Sequence, residues 1–337
     1  MKRRNVKELM KHYDLQLFAG DMNTRTTTGL SAEMKTYYGM ELLENAKPQL
    51  VHNQFAATKG LPVGGGKTVE WRKFGAFDKA LTPLTEGVTP DGSGISVSYI
   101  TKELAQYGDY TTVSDMLDLT AIDDVVLEIP DRHGANMGLT LDTVTRNEIV
   151  QGNQVIYAPM PDGTEVTSRS QLTADCKLTG ELVAKAATQL KKMNAPKFDG
   201  KYICIIHPSV AFDLRQDESW LAAHQYAAAT ELFSGEIGEL HGVRFVETTE
   251  AKIFEGGKDN CAVYACLFLG KGAYGVVDLS EGTEVIVKPR GSSGTADPLD
   301  QRSSVGWKGV HAAAILYDEY IVRVECGSSY SAQDKAN

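Results

Sequence analysis

The chain has 337 residues, of which 42% are hydrophobic and 23% charged, a balance that suits about two soluble domains with cores of their own. Its net charge of -10 excludes gripping nucleic acid through its phosphates as the main task, so any nucleic acid nearby is a neighbour and not a ligand. The longest apolar run, Ala262 Val263 Tyr264 Ala265 Cys266 Leu267 Phe268 Leu269, is far short of the ~20 residues that cross a bilayer and reads as a buried strand.

Residues 1–45 read as a polar arm. Met1 Lys2 Arg3 Arg4 is basic without an apolar stretch behind it, so no signal peptide is expected, and Lys7 and Lys11 continue the basic start. Asp14 Leu15 Gln16 Leu17 Phe18 Ala19 then offers alternating apolar residues able to dock as a strand. Thr24 Arg25 Thr26 Thr27 Thr28 Gly29 has too little apolar content to fold by itself. A short helix is predicted over residues 31–47, ended by Pro48.

The stretch from Lys59 to Tyr110 reads as a long two-stranded arm without a core of its own. A glycine-rich bend, Pro62 Val63 Gly64 Gly65 Gly66 Lys67, leads into the strand Thr68 Val69 Glu70 Trp71 Arg72 Lys73 Phe74. Turn-rich pieces around Pro83, Glu86 and Gly87, and around Pro90 and Gly92, follow before alternation resumes through Ile95, Val97 and Tyr99. An isolated two-stranded ribbon is at best marginally stable in water, so this one needs a surface to lie on. A second copy of the chain is the expected surface. The predicted contact residues are Phe18 on the arm and Lys67, Trp71, Arg72, Lys73, Phe74, Phe77, Pro83 and Glu86 on the ribbon, with Trp71 as the anchor.

After the ribbon, Asp123 or Asp124 can cap a helix whose apolar positions Val126, Ile129, Met137, Leu141 and Val144 carry it to Gly152, with a kink expected at Pro130. A hairpin tip follows at Pro161 Asp162 Gly163. Leu182, Val183, Ala186, Leu190 and Met193 then make the buried stripe of a second helix over residues 179–193. From Tyr202 strands dominate: 202–206, 243–247, 262–269, 275–278 and 284–288, with helices over 209–215 and 217–230 between them. A polar loop over 289–304 and two extended stretches, 305–316 and 320–325, complete an α+β pattern without regular βαβ alternation. Cys176, Cys204, Cys261, Cys266 and Cys326 are odd in number and lack paired spacing, so they read as reduced core thiols of a cytosolic compartment.

Candidate chemistry is sparse. Gly64 Gly65 Gly66 Lys67 Thr68 ends like a phosphate-binding loop, but that pattern needs glycine where Leu61 stands and a helix after the threonine, where Val69 Glu70 Trp71 begin a strand. No GxSxG elbow or HExxH pair occurs, and His207 before Pro208 and His241 before Gly242 read as turn or strand-end residues. No catalytic residue, metal site or cofactor is expected.

Several phrases in order resemble the major capsid proteins of tailed bacteriophages, in the branch of podovirus-type coat proteins. They are Leu15 Gln16 Leu17 Phe18 Ala19, Gly66 Lys67 Thr68 Val69 Glu70 Trp71 Arg72 Lys73 Phe74, Thr82 Pro83 Leu84 Thr85 Glu86 Gly87 Val88 Thr89 Pro90, Gly138 Leu139 Thr140 Leu141 Asp142, Gly238 Glu239 Leu240 His241 Gly242 Val243 Arg244 Phe245 Val246 Glu247, and Val305 Gly306 Trp307 Lys308. The resemblance implies the α+β shell fold shared by tailed-phage and herpesvirus capsids. Its parts would be an N-terminal arm (1–45), a connection (46–57), an extended loop (58–112), a peripheral domain (113–200) with a spine helix over about 123–151, an axial domain (201–309), and C-terminal strands (310–337) returning to the peripheral domain.

The function so implied is a non-enzymatic major capsid protein, self-assembling into hexamers and pentamers of an icosahedral shell around packaged double-stranded DNA. Copies of itself are its main partners. A separate scaffolding protein and a portal are expected, packaged DNA is a neighbour, a cement or decoration protein fits, and no membrane is involved. Its place would be the virion capsid, assembled in the host bacterial cytoplasm. Relatives that staple subunits do so through a lysine, and although Lys67, Lys73 and Lys79 lie on the loop, no local signal singles one out. The alternatives are a nucleotide-handling enzyme with an oligomerising arm and a tail or accessory structural protein of the same virus.

Overall fold

The computed structural model describes residues 50–60, 66–75, 77, 79–84, 86–87, 89, 92, 94–120, 125–224, 236–278, 282–292 and 297–337. The arm with Phe18, the helix predicted over 31–47, Leu61 to Gly65, Asp123, Asp124 and the end of the helix predicted to reach Thr230 lie outside the described residues.

A seven-stranded sheet runs in the order Val155–Tyr157, Ile321–Cys326, Val263–Leu269, Tyr202–Ile206, Val243–Glu247, Glu236–Leu240, with Ile253–Phe254 added beside Val263 and Tyr264. Its middle strands are continuous apolar runs because both faces are covered. The period of two divides each run. Tyr202, Cys204 and Ile206 join one core with Leu182, Val183, Ala186 and Leu190, whereas Ile203 and Ile205 join another with Ile149, Tyr274 and Ala313. The helix Gly180–Lys192 supplies the first cover. Thr179 caps it by accepting from Leu182 N at 3.4 Å, and Lys191 and Lys192 sit at its negative end. Each leucine of its stripe stabilises by roughly 2 kcal/mol through burial.

The long helix Val125–Ile149 has 25 residues, about 37 Å at ~1.5 Å per residue, and contains Pro130. An antiparallel sheet of three strands, Thr283–Lys288, Arg302–His311 and Ala105–Ser114, lies along it. Trp307, Tyr107 and Val285 cover Met137 and Leu141, while Val113, Val287 and Val305 cover Ile129. Trp307 Nε1 donates to Asn136 Oδ1 at 3.1 Å, which fixes the register of sheet on helix. Gly306 is required by close packing, since a Cβ there would fall 2.6 Å from Tyr110 Cβ.

A small sheet, Ala57–Lys59 parallel to Tyr274–Val277 and the latter antiparallel to Ala313–Ile315, joins these two bodies. Its strands bury Tyr274, Val276 and Ala313 in the core that Phe55 and Ile149 also enter.

Sheet pairing divides the chain differently from the boundaries read at 200 and 309. Val155–Tyr157 and the helix Gly180–Lys192 share a core with residues 202–269, because the helix stripe has only that sheet to bury against. The strands Thr283–Lys288 and Arg302–His311 leave that body and pack on the long helix. Ile321–Cys326 returns to the seven-stranded sheet, between Val155–Tyr157 and Val263–Leu269.

Candidate assembly surface

The ribbon pairs Thr68–Phe74 with Val97–Glu103 in antiparallel register, from Thr68 opposite Glu103 to Phe74 opposite Val97. Its root is fixed to its own chain. Val69 and Trp71, the latter 7% exposed, pack against Val277, Ala312 and Ala314, with Ile100, Leu104 and Leu316 at the margin. Lys102 Nζ reaches Glu148 Oε1 of the long helix at 2.7 Å, and Lys73 Nζ lies 4.3 Å from the centre of the Tyr317 ring, which itself stacks on Tyr320. Both side chains are half-buried, and a cation over an aromatic face adds on the order of 1 kcal/mol at such a site.

Trp71 is therefore corrected from the predicted contact surface to the core of its own subunit. Its flanking charges Glu70 and Arg72 pair with each other at 3.5 Å on the other face of the strand. Alternation sends the indole inward and the charges outward.

Beyond the root the ribbon changes character. Phe74, Phe77, Pro83 and Glu86 are exposed, as are Lys67 and Arg72, while Lys73 is half-buried. Phe77 is 60%, Leu81 82% and Leu84 77% exposed, and Ile95 and Tyr99 are also open. Arg72 lies over the Tyr99 ring at 5.9 Å. Large apolar side chains concentrated on one projecting element mark an interaction surface more than a tolerated exposure. Leu81, Leu84 and Ile95 escaped sequence reasoning, although apolar residues inside turn-rich segments were the available signal.

The other candidates are structural. Gly66 has φ +94 and is followed by the bend at Lys67 and then by the strand Thr68–Phe74, where a phosphate-binding loop would need a helix. His207 caps the helix Pro208–Arg215, its Nδ1 accepting from Ser209 N at 3.2 Å; burial pushes its pKa down, with the Asp334 carboxylate opposing. His241, at φ +52, turns the chain between Glu236–Leu240 and Val243–Glu247. Among the described residues no group of three or more His, Cys, Asp or Glu is arranged to hold a metal ion.

One buried polar cluster had no signal in the sequence. His52 N donates to Asp142 Oδ1 at 2.7 Å, His52 Nδ1 lies 2.6 Å from Asp142 Oδ2, and Tyr274 OH donates to His52 O. One turn farther along the helix, Thr145 Oγ1 donates to Asn53 Oδ1 at 2.5 Å and lies 2.8 Å from His311 Nε2. These contacts tie the segment before Ala57–Lys59 to the long helix and to the strand Arg302–His311. They hold the platform on which the ribbon root rests.

The sequence profile of the phage capsid protein family matches residues 99–324, well over half of the chain. A comparison with curated protein sequences gives no match. Among solved structures, the capsid of Ralstonia phage GP4 is similar with a TM-score of 0.62 at 12% identity, covering 82% of this chain and 86% of that one. The capsid asymmetric unit of cyanophage Pam1 gives 0.63 at 12% identity, over 85% and 92% of the two chains. The capsid of cyanophage P-SCSP1u gives 0.59 at 15%, over 97% and 96%. At these identities the likeness is one of fold.

Proposed function

The chain belongs to the phage capsid protein family and is a major capsid protein, and from that premise we propose that it assembles into the hexamers and pentamers of an icosahedral shell around packaged double-stranded DNA. The observation that carries the mechanism is the contrast along the ribbon: a root buried in its own subunit and a tip that presents Phe77, Leu81 and Leu84 to solvent. A tip of this kind is satisfied when a neighbouring copy covers it. Repetition of one modest contact around a closed shell gives a large sum.

In this reading the ribbon is the extended loop, the long helix with its three-stranded sheet is the peripheral domain, and the seven-stranded sheet with its helices is the axial domain near the capsomer centre. Residues 1–45 serve as the arm. The work is mechanical and non-enzymatic. Lys67, Arg72, Lys73, Phe74, Phe77, Pro83 and Glu86 remain the proposed contact residues on the ribbon, with Phe18 on the arm and Leu81 and Leu84 added. A separate scaffolding protein, a portal and a decoration protein complete the proposed partners. DNA is a neighbour held inside by the wall, consistent with a net charge of -10. Assembly is placed in the host bacterial cytoplasm.

Negative-stain imaging of the purified chain, alone and with a scaffolding protein, tests the proposal. Closed particles of uniform diameter are expected. Discrete small oligomers under both conditions would contradict it.

A further inference from the structure

We propose that the contact between the C-terminal end of the long helix and the strand Ile321–Cys326 is a rigid joint that holds the two bodies at one angle in every copy, and that Arg323 thereby helps to set the diameter of the shell. The inference rests on the shell reading, in which one chain serves both pentamers and hexamers.

The first observation is what Arg323 touches. It belongs to the seven-stranded sheet, where its main-chain N donates to Gln154 O at 2.9 Å. Its side chain leaves that sheet for the helix end: Nη1 donates to Val150 O and, at 3.3 Å, to Gly152 O. Carbonyls at the end of a helix lack partners within it and carry a partial negative charge, so a guanidinium satisfies both needs.

The second observation is that Arg323 is itself held in place. Its Nε donates to Glu325 Oε1 at 2.9 Å, and Glu325 is wholly buried. The same carboxylate takes Arg169 as a fork, Nε on Oε2 at 2.7 Å and Nη2 on Oε1 at 2.6 Å. The Arg169 guanidinium in turn lies 3.6 Å from the centre of the Phe254 ring. Two planar forks on one carboxylate leave little choice of orientation. Two cations against one anion also leave a positive charge, and Arg323 turns it to the helix end.

The third observation is a second grip on the same end. Just beyond the helix, Asp318 accepts from Asn153 N at 2.9 Å and from Asn153 Nδ2 at 3.0 Å. Between the two grips a Cβ at Gly152 would fall 3.2 Å from Asp318 Oδ1, and Ile149 and Ile321 share one core. Charge, hydrogen bonds and packing therefore fix the same few residues.

A buried ion network adds little net stability over an apolar cluster of the same size, and its best-attested use is to select one arrangement. Here the arrangement has leverage. A tilt of about 5° at the joint would move the far end of the roughly 37 Å helix by about 3 Å. Copies tilted differently would close at different curvatures. With this joint fixed, the difference between pentamer and hexamer falls to the ribbon tip and the arm.

Two variants of the full chain test the joint. Arg323→Lys keeps the charge and loses the fork, so it cannot hold Glu325 and the helix end together. Its particles, sized by electron microscopy, should spread over two or more diameter classes where the unmodified chain gives one. Particles of the single unmodified diameter would overturn the proposal. Asn153→Cys/Asp318→Cys, bridged by oxidation or by a short thiol-to-thiol cross-linker, tests the joint without weakening it. Bridged subunits should assemble to the ordinary diameter and yield, because nothing there has to move. Bridged subunits that fail to assemble while the reduced ones succeed would overturn the proposal and leave the shell reading standing. Failure of the unmodified chain to form particles would remove the shell reading itself, and the joint's role with it.

Discussion

The indole of Trp71 lies directly on the backbone of Gly275: a Cβ at that glycine would fall 2.7 Å from Trp71 Nε1. Gly275 belongs to the strand Tyr274–Val277, where it is opposite Ala57 and Ala314, so the ribbon root closes over the small sheet that joins the two bodies. Trp71→Ala should destabilise the unassembled subunit by about 3–5 kcal/mol, the usual range for emptying a buried tryptophan site. Gly275→Ala should cost about 1–3 kcal/mol by forcing the indole outward. Urea unfolding of subunits kept below the assembly concentration measures both. Losses under about 0.5 kcal/mol for both, the range typical of surface positions, would return Trp71 to the intersubunit surface.

Thiol chemistry gives a second check on the core. Cys176, Cys204, Cys261, Cys266 and Cys326 are all free and buried, and Cys266 Sγ lies a non-bonded 3.7 Å from Cys326 Sγ. Burial pushes the Cys204 thiol well above its ordinary pKa, so little reactive thiolate forms. Folded protein should react slowly with an aromatic disulfide reagent, and denatured protein should release five equivalents at once. Rapid titration of three or more thiols in the folded state would include at least one of Cys204, Cys266 and Cys326 and so place a strand of the seven-stranded sheet wrongly.

His311 sets an acid limit on the same platform. It is wholly buried, and burial lowers its pKa from 6.5 to about 4, with the Asp142 carboxylate pulling the other way. With Thr145 donating to Asn53, Thr145 Oγ1 accepts from Nε2–H, and protonation would leave a second N–H at Nδ1 without a partner. As pH falls, the unfolded chain takes up this proton first. The contribution is thus complete above about pH 6.5, declines from there to about pH 4 and is lost below it, a change on the order of 3 kcal/mol. His311→Gln keeps a donor for Thr145 and removes the titration. The stability difference between the native chain and this variant should therefore shrink or reverse across that window, and a constant difference would contradict the assignment.

Where local pattern and burial agree, the sequence is legible. Thr179 and the stripe Leu182, Val183, Ala186, Leu190 locate the helix Gly180–Lys192 because cap and apolar face both depend on residues near in sequence. The long helix is equally plain despite Pro130, and Tyr202–Ile206 is readable as a strand covered on both faces. Pairing between distant strands is not legible. Nothing in Val155–Tyr157 or Ile321–Cys326 announces that they lie side by side in parallel. Trp71 shows the same limit at the scale of one residue, because a tryptophan flanked by Glu70, Arg72 and Lys73 suits an interface or a core, and only Gly275 and Val277 in space decide between them. His52 and Asp142, 90 residues apart, meet through the fold alone.

The central claim is that the ribbon divides into a root that serves the fold and a tip that serves assembly. Replacing residues 76–94 by a short Gly/Ser linker removes Phe77, Leu81 and Leu84 while leaving the paired strands Thr68–Phe74 and Val97–Glu103, which Val69 and Trp71 anchor. The decisive measurement is the sedimentation profile of this variant beside its thermal melt. Free subunits that melt cooperatively within a few degrees of the unmodified chain, with no particle peak at concentrations where that chain assembles fully, are the expected result. A particle peak of normal size and yield, or an unfolded and aggregated chain, would contradict the division of the ribbon into root and tip.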